Sequence, residues 1–329
     1  MTAPPIASLL GDIGGTHARF ARQAVPGAQP NQVVTYACAD HDSLLSAIRR
    51  YLREEGGAGG GGGDAPRTCA IGIANPITGD QVQMTNLDWS FSIADLKREL
   101  GLERLVVIND FTALALSLPL LSAADLRRIG GGAVLAEAPM AVLGPGTGLG
   151  VSGLVPSGPG RFIPINGEGG HITLAAGSER EAAVIERLRR RFGHVSAERA
   201  LSGPGLTYLY EAVCALTGQA AAELSPAEVI ARARSLTDPC CGEALDLFCN
   251  FLGAVAGDLA LTLGARGGVY IGGGIAPRIL RELERSSFRE RFVSKGRFRD
   301  YLRNIATFVI DAEFSPSLVG AGRALELVD

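Results

Sequence analysis

The sequence is poor in lysine and has no excess of positive charge. Its two lysines, Lys97 and Lys295, do not follow a glycine, whereas a Walker phosphate loop needs Gly-Lys followed by Ser or Thr. That class of nucleotide site is therefore excluded. The 31 Lys and Arg residues are outnumbered by 34 Asp and Glu residues. The resulting net charge of −3 argues against nucleic-acid binding as the main function.

Cysteine pairs at metal-ligand spacing and long apolar runs are also missing. None of the six cysteines forms a Cys-x-x-Cys pair, so we expect no structural zinc, and reduced thiols in the core of a cytoplasmic protein. No uncharged apolar run reaches the roughly 18 residues of a membrane span. The most tempting run, residues 251–263, contains Asp258 and is interpreted as a buried helix. The first residues lack the basic start of a secretion signal, so none is expected.

The chain is long enough for two domains, and its pattern is that of an α/β protein. At roughly 150 residues per domain, 329 residues predict about two. Short strand-like runs alternate with helical stretches. The predicted strands are 9–13, 18–21, 33–38, 68–74, 105–108, 140–143 and 269–271, and the predicted helices include 44–52, 92–101, 248–263 and 318–328. Capping signatures mark helix starts at Ser92, Ser178 and Ser225.

Two glycine-rich turns follow predicted strands and carry threonine at matching places. Gly14–Thr16 follows the first strand, and Gly144–Gly148 follows the strand at 140–143. Backbone amides of such turns point inward without side chains in the way, and the concavity binds phosphate oxygens. Asp12 stands where a carboxylate would hold Mg²⁺ through water. Two matching turns in different halves of the chain favour a nucleotide-phosphate site.

A dinucleotide-binding fingerprint matches at Gly148, Gly150 and Gly153, with Glu168 twenty residues after the first glycine. A helix should begin inside that motif. Residues 151–165 instead contain Pro156, Gly158, Pro159 and Gly160 and are interpreted as a second hairpin. The match is therefore taken as accidental, and a dehydrogenase is set aside.

Asn109 and Asp110 follow a predicted buried strand. Ligand sites in open α/β sheets lie beyond the carboxyl ends of the strands. Asp110 is therefore a candidate general base, with Asn109 beside it as a hydrogen-bonding group. The alternative is that Asp110 only caps the helix that follows.

Further polar candidates lie in the second half of the chain. Glu168 and His171 stand among glycines, so both side chains are within reach of a ligand, and their polar tips suit a polyhydroxylated one. Glu168 and His171 as two metal ligands on one helix are disfavoured, because glycine weakens helices. The alternative to a ligand site is that the segment is only a solvated loop. By themselves, Glu198 would pass as a surface charge and Asn86 as a turn residue.

Taken together and in order, these segments resemble the bacterial glucokinase family of the actin, hexokinase and Hsp70 superfamily. The resemblance covers nearly the whole chain. The segments that carry it are residues 10–16, 76–80, 84–86, 108–113, 144–150, 167–171, 194–199, 201–205 and 271–278.

The resemblance implies a two-domain, actin-like ATPase fold of the α/β class (ribonuclease H-like) with an interdomain cleft. The small domain would comprise residues 1–119 and 313–329, and the large domain residues 120–312. The implied reaction is ATP-dependent phosphorylation of the 6-hydroxyl of glucose, giving glucose 6-phosphate and ADP at the start of glycolysis. Similar enzymes are often cytoplasmic homodimers.

The resemblance also implies roles for individual residues. Asp110 matches the catalytic base, and the matching sugar ligands are Asn109, Asp110, Glu168, His171, Glu198 and, less closely, Asn86. The ATP contacts would come from Gly11, Asp12, Ile13, Gly14, Gly15 and Thr16, from Gly146, Thr147 and Gly148, and from Gly272, Gly273 and Gly274, with Mg²⁺ on Asp12. One departure is His17, which stands beside the first turn where relatives often have Asn.

Two alternatives stay open at this point. The chain is a kinase for another hexose or an N-acetylated amino sugar, or it is a sugar-sensing regulator without catalysis. Against the regulator, Asp12 and Asp110 are both present, and we expect no helix-turn-helix ahead of the first strand. The expected partners are glucose and ATP, with no nucleic acid and no membrane.

Overall fold

The computed structural model describes residues 7–56, 65–84 and 87–327. Within them, the strands are β1 (Ser8–Ile13), β2 (His17–Gln23), β3 (Asn31–Ala37), β4 (Thr68–Ile73), β5 (Gln81–Gln83), β6 (Ser90–Ser92), β7 (Arg104–Asn109), β8 (Leu126–Gly130), β9 (Met140–Pro145), β10 (Leu149–Gly158), β11 (Arg161–Asn166), β12 (Val269–Ile271) and β13 (Thr307–Ile310). The α-helices are α1 (Leu44–Gly56), α2 (Ile93–Glu99), α3 (Asp110–Ser117), α4 (Glu179–Phe192), α5 (Ala197–Ala200), α6 (Gly203–Thr217), α7 (Pro226–Ser235), α8 (Pro239–Leu263), α9 (Leu280–Arg285), α10 (Phe288–Val293), α11 (Arg299–Arg303) and α12 (Pro316–Leu327).

The chain divides into two compact units, Met1–Leu121 with Ala312–Asp329, and Ser122–Asp311. The described part of the first unit contains a five-stranded sheet in the order β3-β2-β1-β4-β7. Strand β1 is antiparallel to β2 and parallel to β4, which is parallel to β7. The carboxyl ends of β1, β4 and β7 therefore share one edge of the sheet, where Ile13, Ile73 and Asn109 are in register.

Alternation along β1 buries side chains on both faces of this sheet. Leu9 and Ile13 join a core cluster with Ile48 of α1, and Leu10 between them is fully buried outside that cluster. Helix α12 packs on β1, β4 and α3. A Cβ on Gly320 of α12 would overlap the carbonyl oxygen of Ala113 in α3. The last helix of the chain therefore touches, backbone to backbone, the helix that begins with Asp110.

The second unit repeats the strand pattern of the first. Its sheet has the order β11-β10-β9-β12-β13-β8 within the described residues. Strand β9 is antiparallel to β10 and parallel to β12, as β1 is to β2 and β4. The two glycine turns connect β1 to β2 and β9 to β10, so they occupy the same place in each pattern. This equivalence explains why the turns have similar sequences.

Helix α8 forms the core of the second unit. By length and composition alone it could cross a membrane, but 67% of its most apolar window is buried inside the protein. Glycines let α10 approach it closely, because a Cβ on Gly253 would overlap the carbonyl oxygen of Phe288. Residues 248–263 are therefore a buried core helix, as predicted.

The capping boxes are only partly as predicted. Ser225 and Glu228 form the reciprocal pair at the start of α7. Ser178 caps α4, but the carboxylate of Glu181 accepts from Gly177 N (2.6 Å) and pairs with Arg291 instead of completing a box. Similarly, at the start of α2, Ser92 accepts from Asp95 N and donates its own hydroxyl proton to Asp80. The sequence therefore identifies the capping serine at each of these helix starts but not the group that the acid three residues later binds.

Candidate active site

The first glycine turn is a short connection held at both ends by backbone hydrogen bonds. Gly14 N donates to His17 O (2.9 Å), and Cys38 N donates to Thr16 O (2.9 Å). The side chains of Thr16 and His17 are exposed. A Cβ on Gly14 would meet only His17 O, at 3.6 Å. The turn thus leaves its main chain open to the approach of a ligand.

Two residues predicted to contact the nucleotide beside this turn belong to the core. The side chain of Ile13 is fully buried, and a Cβ on Gly11 would lie 3.3 Å from Ile71 Cγ1. Any contact of these two residues with a nucleotide is therefore limited to their main chain.

Asp12 lies in β1 directly before the turn, in a small hydrogen-bonded cluster. Its Oδ2 is 3.2 Å from Arg19 NH1 and accepts a hydrogen bond from Ser315 Oγ at 3.1 Å. The side chain is only 13% exposed. Burial raises the pKa of Asp12 above its ordinary value, and Arg19 and Ser315 offset only part of that rise. Asp12 is thus a buried acid, and ionisation of its carboxyl group lowers the stability of the folded protein.

We expect Asp12→Asn to increase the free energy of unfolding at pH 7.5 by about 1 kcal/mol. Gains of this size are common when a residue that lowers stability for the sake of function is replaced. The folded state holds the Asp12 proton more tightly than the unfolded chain does. The wild type therefore loses stability as the pH rises through the interval between the unfolded pKa, about 3.9, and the higher folded pKa. The difference between variant and wild type should shrink as the pH falls, which urea unfolding at several pH values measures.

Asp80→Asn is the matched control for this change. Hydrogen bonds from Ser92 Oγ and Ala94 N lower the pKa of Asp80, so its ionised form is favoured and the same substitution should reduce stability. If both variants lost stability at pH 7.5, burial of charge at Asp12 would not be the dominant effect.

Asn109 and Asp110 stand at the carboxyl edge of the first sheet, where β7 ends and α3 begins. Asn109 is the helix cap, since its Oδ1 accepts from Phe111 N (2.8 Å) and Thr112 N (3.2 Å). Asp110 is the first residue of α3, and its Oδ1 accepts from Phe111 N at 2.9 Å. Glycine at position 72 of β4 lets α3 pack closely, because a Cβ there would lie 3.1 Å from Ala113 Cβ. The cap is thus Asn109, and the carboxylate of Asp110 lies at the positive end of the helix.

The strand register relates Asp110 to Asp12. Asp12 of β1 is paired with Gly72 of β4, and Gly72 is paired with Ile108 of β7. Two strand spacings separate β1 from β7, or about 10 Å. Both carboxylates therefore belong to the same edge of the first sheet, as the strand-end rule predicts.

The second glycine turn, between β9 and β10, is closed by a hydrogen bond from Gly146 N to Gly148 O (2.8 Å). Gly146 O accepts from Gly203 N at the start of α6 (2.8 Å). A Cβ on Gly146 would have no heavy atom within 4 Å, and the side chain of Thr147 is exposed. This turn, like the first, presents its main chain to an open side.

The segment Gly272–Gly274, predicted to lie against adenosine, packs on the second turn. A Cβ on Gly144 would lie 2.6 Å from the carbonyl carbon of Gly272, and one on Gly273 would overlap the carbonyl oxygen of Pro145. Gly273 has a φ of +77°, which favours glycine. The structure therefore brings these two glycine segments together, backbone to backbone.

Glu168 precedes the 3-10 turn Gly169–His171, which ends with His171, and both side chains are exposed. The glycines between them have a steric purpose, because a Cβ on Gly170 would overlap the carbonyl oxygen of Leu149 at the start of β10. His171 N donates to Glu168 O at 3.0 Å. The exposed side chains are thus carried by a backbone fixed on the sheet, and the segment is more than a solvated loop.

Glu198 lies in α5, and its Oε2 accepts a hydrogen bond from Leu149 N (2.9 Å). Arg199 does not pair with it but stacks on the ring of Phe192, 4.4 Å from the ring centroid. Ala197 N donates to Ile172 O (2.8 Å), which connects α5 to the segment after His171. Within the second unit, the structure therefore brings Glu168, His171, Glu198 and the second glycine turn together around the start of β10.

Some site residues escaped the sequence analysis, and one prediction lies outside the described residues. Asn86, a predicted sugar ligand, is the one that lies outside the described residues. Arg19 could have been found, because the β1–β2 hairpin pairs it with Asp12. Ser315 carries no such signal, since it is 303 residues from Asp12 along the chain. The hydrogen bond from Ser202 Oγ to Glu198 O was indicated only by the resemblance of residues 194–199 and 201–205 to the family.

The donors near Asp12 fit a magnesium ion held with few protein ligands. No group of three or more His, Cys, Asp or Glu side chains suited to a metal occurs in the described part of the chain. Mg²⁺ usually keeps several waters and binds one or two carboxylates together with substrate phosphates. A single carboxylate beside an open glycine turn matches that requirement. All six cysteines are buried and free, as predicted.

Comparison with known proteins gives consistent matches over nearly the whole chain. The sequence profile of the glucokinase family matches residues 9–328. A glucokinase of Aromatoleum aromaticum is 58% identical over 318 residues, covering 97% of this chain and 94% of that protein. One from Chromobacterium violaceum is 50% identical over 317 residues, covering 96% and 88%. The crystal structure of a glucokinase from an Antarctic psychrotroph has a TM-score of 0.87 and 36% identity, covering 98% of this chain and 99% of that one. The predicted α/β, actin-like two-domain fold class is confirmed.

Proposed function

The chain belongs to the glucokinase family, and from that premise we propose that it transfers the γ-phosphoryl group of ATP to the 6-hydroxyl of glucose, with Asp110 as general base. Phosphoryl transfer proceeds through a loose transition state, so catalysis consists mainly of positioning and charge stabilisation. The observation that carries the residue assignment is the position of Asp110 at the carboxyl edge of the first sheet, the same edge as Asp12.

The carboxylate of Asp110 accepts the proton of the sugar hydroxyl as that oxygen attacks phosphorus. Its place in the first turn of α3 supports this role, because a helix N-terminus stabilises the anionic form that a base needs. The Oδ1 of Asn109 accepts the capping hydrogen bonds of α3. The NH₂ of the same side chain therefore donates to a sugar oxygen. Capping also fixes the orientation of the Asn109 side chain before substrate binds.

Glu168, His171 and Glu198 supply the other sugar contacts. Carboxylate oxygens accept hydroxyl protons, and the imidazole of His171 donates or accepts according to its tautomer. Such groups reject an analogue that lacks the matching hydroxyl, because a partner covered by the bound sugar is then left unpaired. Asn86 is retained in the proposed sugar set on the family resemblance alone.

ATP is held by main-chain amides of the two glycine turns, helped by the hydroxyls of Thr16 and Thr147. Residues 272–274 contact the nucleoside. Asp12 would hold Mg²⁺ through water, and Arg19 and Ser315 fix the orientation of the Asp12 carboxylate. When bound, the ion supplies positive charge that neutralises the phosphates.

A coupled assay of ADP release tests the reaction directly. Glucose should give the highest kcat/KM in a panel with fructose, mannose, N-acetylglucosamine and N-acetylmannosamine. Preference for an N-acetylated sugar would establish the alternative kinase. Binding of glucose without turnover of any sugar would favour the non-catalytic regulator.

We expect Glu168→Gln to raise the KM for glucose about tenfold and the KM for ATP much less. A hydrogen bond to a charged group contributes about 1.5–3 kcal/mol, and the neutral amide keeps only part of it. Steady-state kinetics with each substrate varied measures the two constants. Glu179→Gln, which changes an exposed acid at the start of α4, is the matched control and should leave both constants unchanged. A rise confined to the ATP constant would assign Glu168 to the nucleotide.

The same family premise leads us to propose a cytoplasmic homodimer. The six buried, free thiols fit a reducing compartment. Light scattering coupled to size-exclusion chromatography measures the assembly directly, and a monomer at micromolar concentration would remove the dimer from the proposal.

A further inference from the structure

Glu198 contacts the second glycine turn directly, and this contact points beyond sugar binding. We propose that Glu198 couples the two substrates: its carboxylate latches the turn Gly146–Gly148, so that a sugar bound to Glu198 preorganises the turn for the nucleotide. The inference rests on the proposed function, and it assigns Glu198 a positioning role that sugar binding alone does not require.

The first observation is the contact of the carboxylate with the end of the turn. Leu149 N, the first amide after the turn, donates to Glu198 Oε2 at 2.9 Å. A Cβ on Gly148 would overlap the same oxygen and lie 3.2 Å from Glu198 Cδ. Any other residue at position 148 must therefore push the carboxylate away. The absence of a side chain at 148 is thus what lets the Glu198 carboxylate lie against the end of the turn.

The second observation is that the backbone after Glu198 holds the beginning of the same turn. Ser202 Oγ donates to Glu198 O (2.9 Å) and accepts from Gly205 N (3.0 Å), which caps α6. Gly203 N then donates to Gly146 O (2.8 Å). The segment from Glu198 to Gly205 therefore fixes both ends of a three-residue turn.

The carboxylate has one oxygen for each task. Oε2 faces Leu149 N, and Oε1 is the oxygen to which a sugar hydroxyl would donate. A sugar bound at Oε1 restricts the torsions of the Glu198 side chain, which fixes Oε2 and with it the end of the turn. The conformational entropy of the turn is then lost before the nucleotide binds, so the nucleotide binds more tightly. Linkage requires the nucleotide to tighten sugar binding by the same factor.

The experiment is a measurement of nucleotide affinity with and without sugar, by titration calorimetry of the Mg²⁺ complex of a non-hydrolysable ATP analogue. In the wild type, saturating glucose should lower the Kd of the analogue by about 5–150-fold, the usual range of coupling. In Glu198→Ala at saturating glucose, this factor should fall to about 1. Glu168→Gln is the matched control, because it weakens the sugar from a side chain with no hydrogen bond to the turn, and it should keep the wild-type factor.

Gly148→Ala provides a test in which the complete set of proposed sugar ligands is retained. It should displace the carboxylate and abolish the coupling although Glu198 is present. The double variant Gly148→Ala/Glu198→Ala should be no worse than the poorer single variant, because both changes break one contact. Thermal unfolding of each variant establishes that it is folded under the conditions of the titration.

The outcomes separate this inference from the proposed function. Turnover of glucose and ATP without coupling in the wild type, or full coupling in Glu198→Ala, would overturn the latch and leave the kinase intact. Additive penalties in the double variant would likewise contradict a single shared contact. Absence of glucose binding and of turnover in the wild type would overturn the proposed function itself.

Discussion

Replacing Asp110 by asparagine is expected to lower kcat by about 10²–10⁴, the usual contribution of a positioned general base, with much less change in the KM for glucose. Asparagine has nearly the same shape, so it can still accept from Phe111 N as Asp110 Oδ1 does. The amide cannot take up the proton of the sugar hydroxyl. The expected result is therefore a loss confined largely to the chemical step.

Pre-steady-state and steady-state measurements of ADP formation with glucose and ATP test this expectation. Asp95→Asn is a suitable control, because Asp95 also lies in the first turn of a helix of the same unit but at an exposed position. The control should retain wild-type kcat. A kcat above about half of the wild-type value in the Asp110 variant would mean that another group acts as the base.

Features governed by local sequence could be predicted together with their positions. Both glycine turns follow short buried strands, and their place between antiparallel partners is dictated by the few residues available to reverse the chain. Asp110 follows from the rule that ligand sites lie beyond the carboxyl ends of parallel strands. In each case the signal lies within about ten residues of the feature.

Other features depend on contacts between distant parts of the chain, which a single sequence does not encode visibly. Ser315 reaches Asp12 across 303 residues. The carboxylate of Glu181 pairs with Arg291, 110 residues away, in addition to accepting from Gly177 N near the start of its own helix. The alternative that Asp110 caps the helix was wrong in its residue, because Asn109 is also a good capping residue and it is the one that precedes α3.

The meaning of several glycines likewise required the structure. Composition gives 44 glycines in 329 residues, and a sequence analysis assigns them to turns. Gly170 and Gly148 are needed for a different reason, since a side chain there would collide with Leu149 O or with Glu198 Oε2. These glycines allow functional segments to approach a sheet more closely than any other residue would.

Gly320→Ala is expected to destabilise the protein by at least about 3 kcal/mol, above the 1–3 kcal/mol usual for overpacking. The added Cβ would overlap the carbonyl oxygen of Ala113 and lie 3.1 Å from Ser117 N, and a backbone atom cannot move aside by changing its rotamer. Relief requires α12 and α3 to separate. Because α3 begins with Asp110, the separation also displaces the proposed base, and a shift of about 1 Å costs roughly 10²-fold in rate.

Gly242→Ala tests whether the loss at Gly320 comes from the contact or from alanine itself. Gly242 lies in α8, and a Cβ there would have no heavy atom within 4 Å. Because alanine is the better helix former, this variant should be neutral or more stable by up to about 1 kcal/mol. Urea unfolding gives the stability of both variants, and kcat of Gly320→Ala is measured at a temperature where it remains folded. Equal stabilities for the two variants would contradict close packing of α12 on α3, whereas a destabilised Gly320 variant with wild-type kcat would show that α12 supports the fold without positioning Asp110.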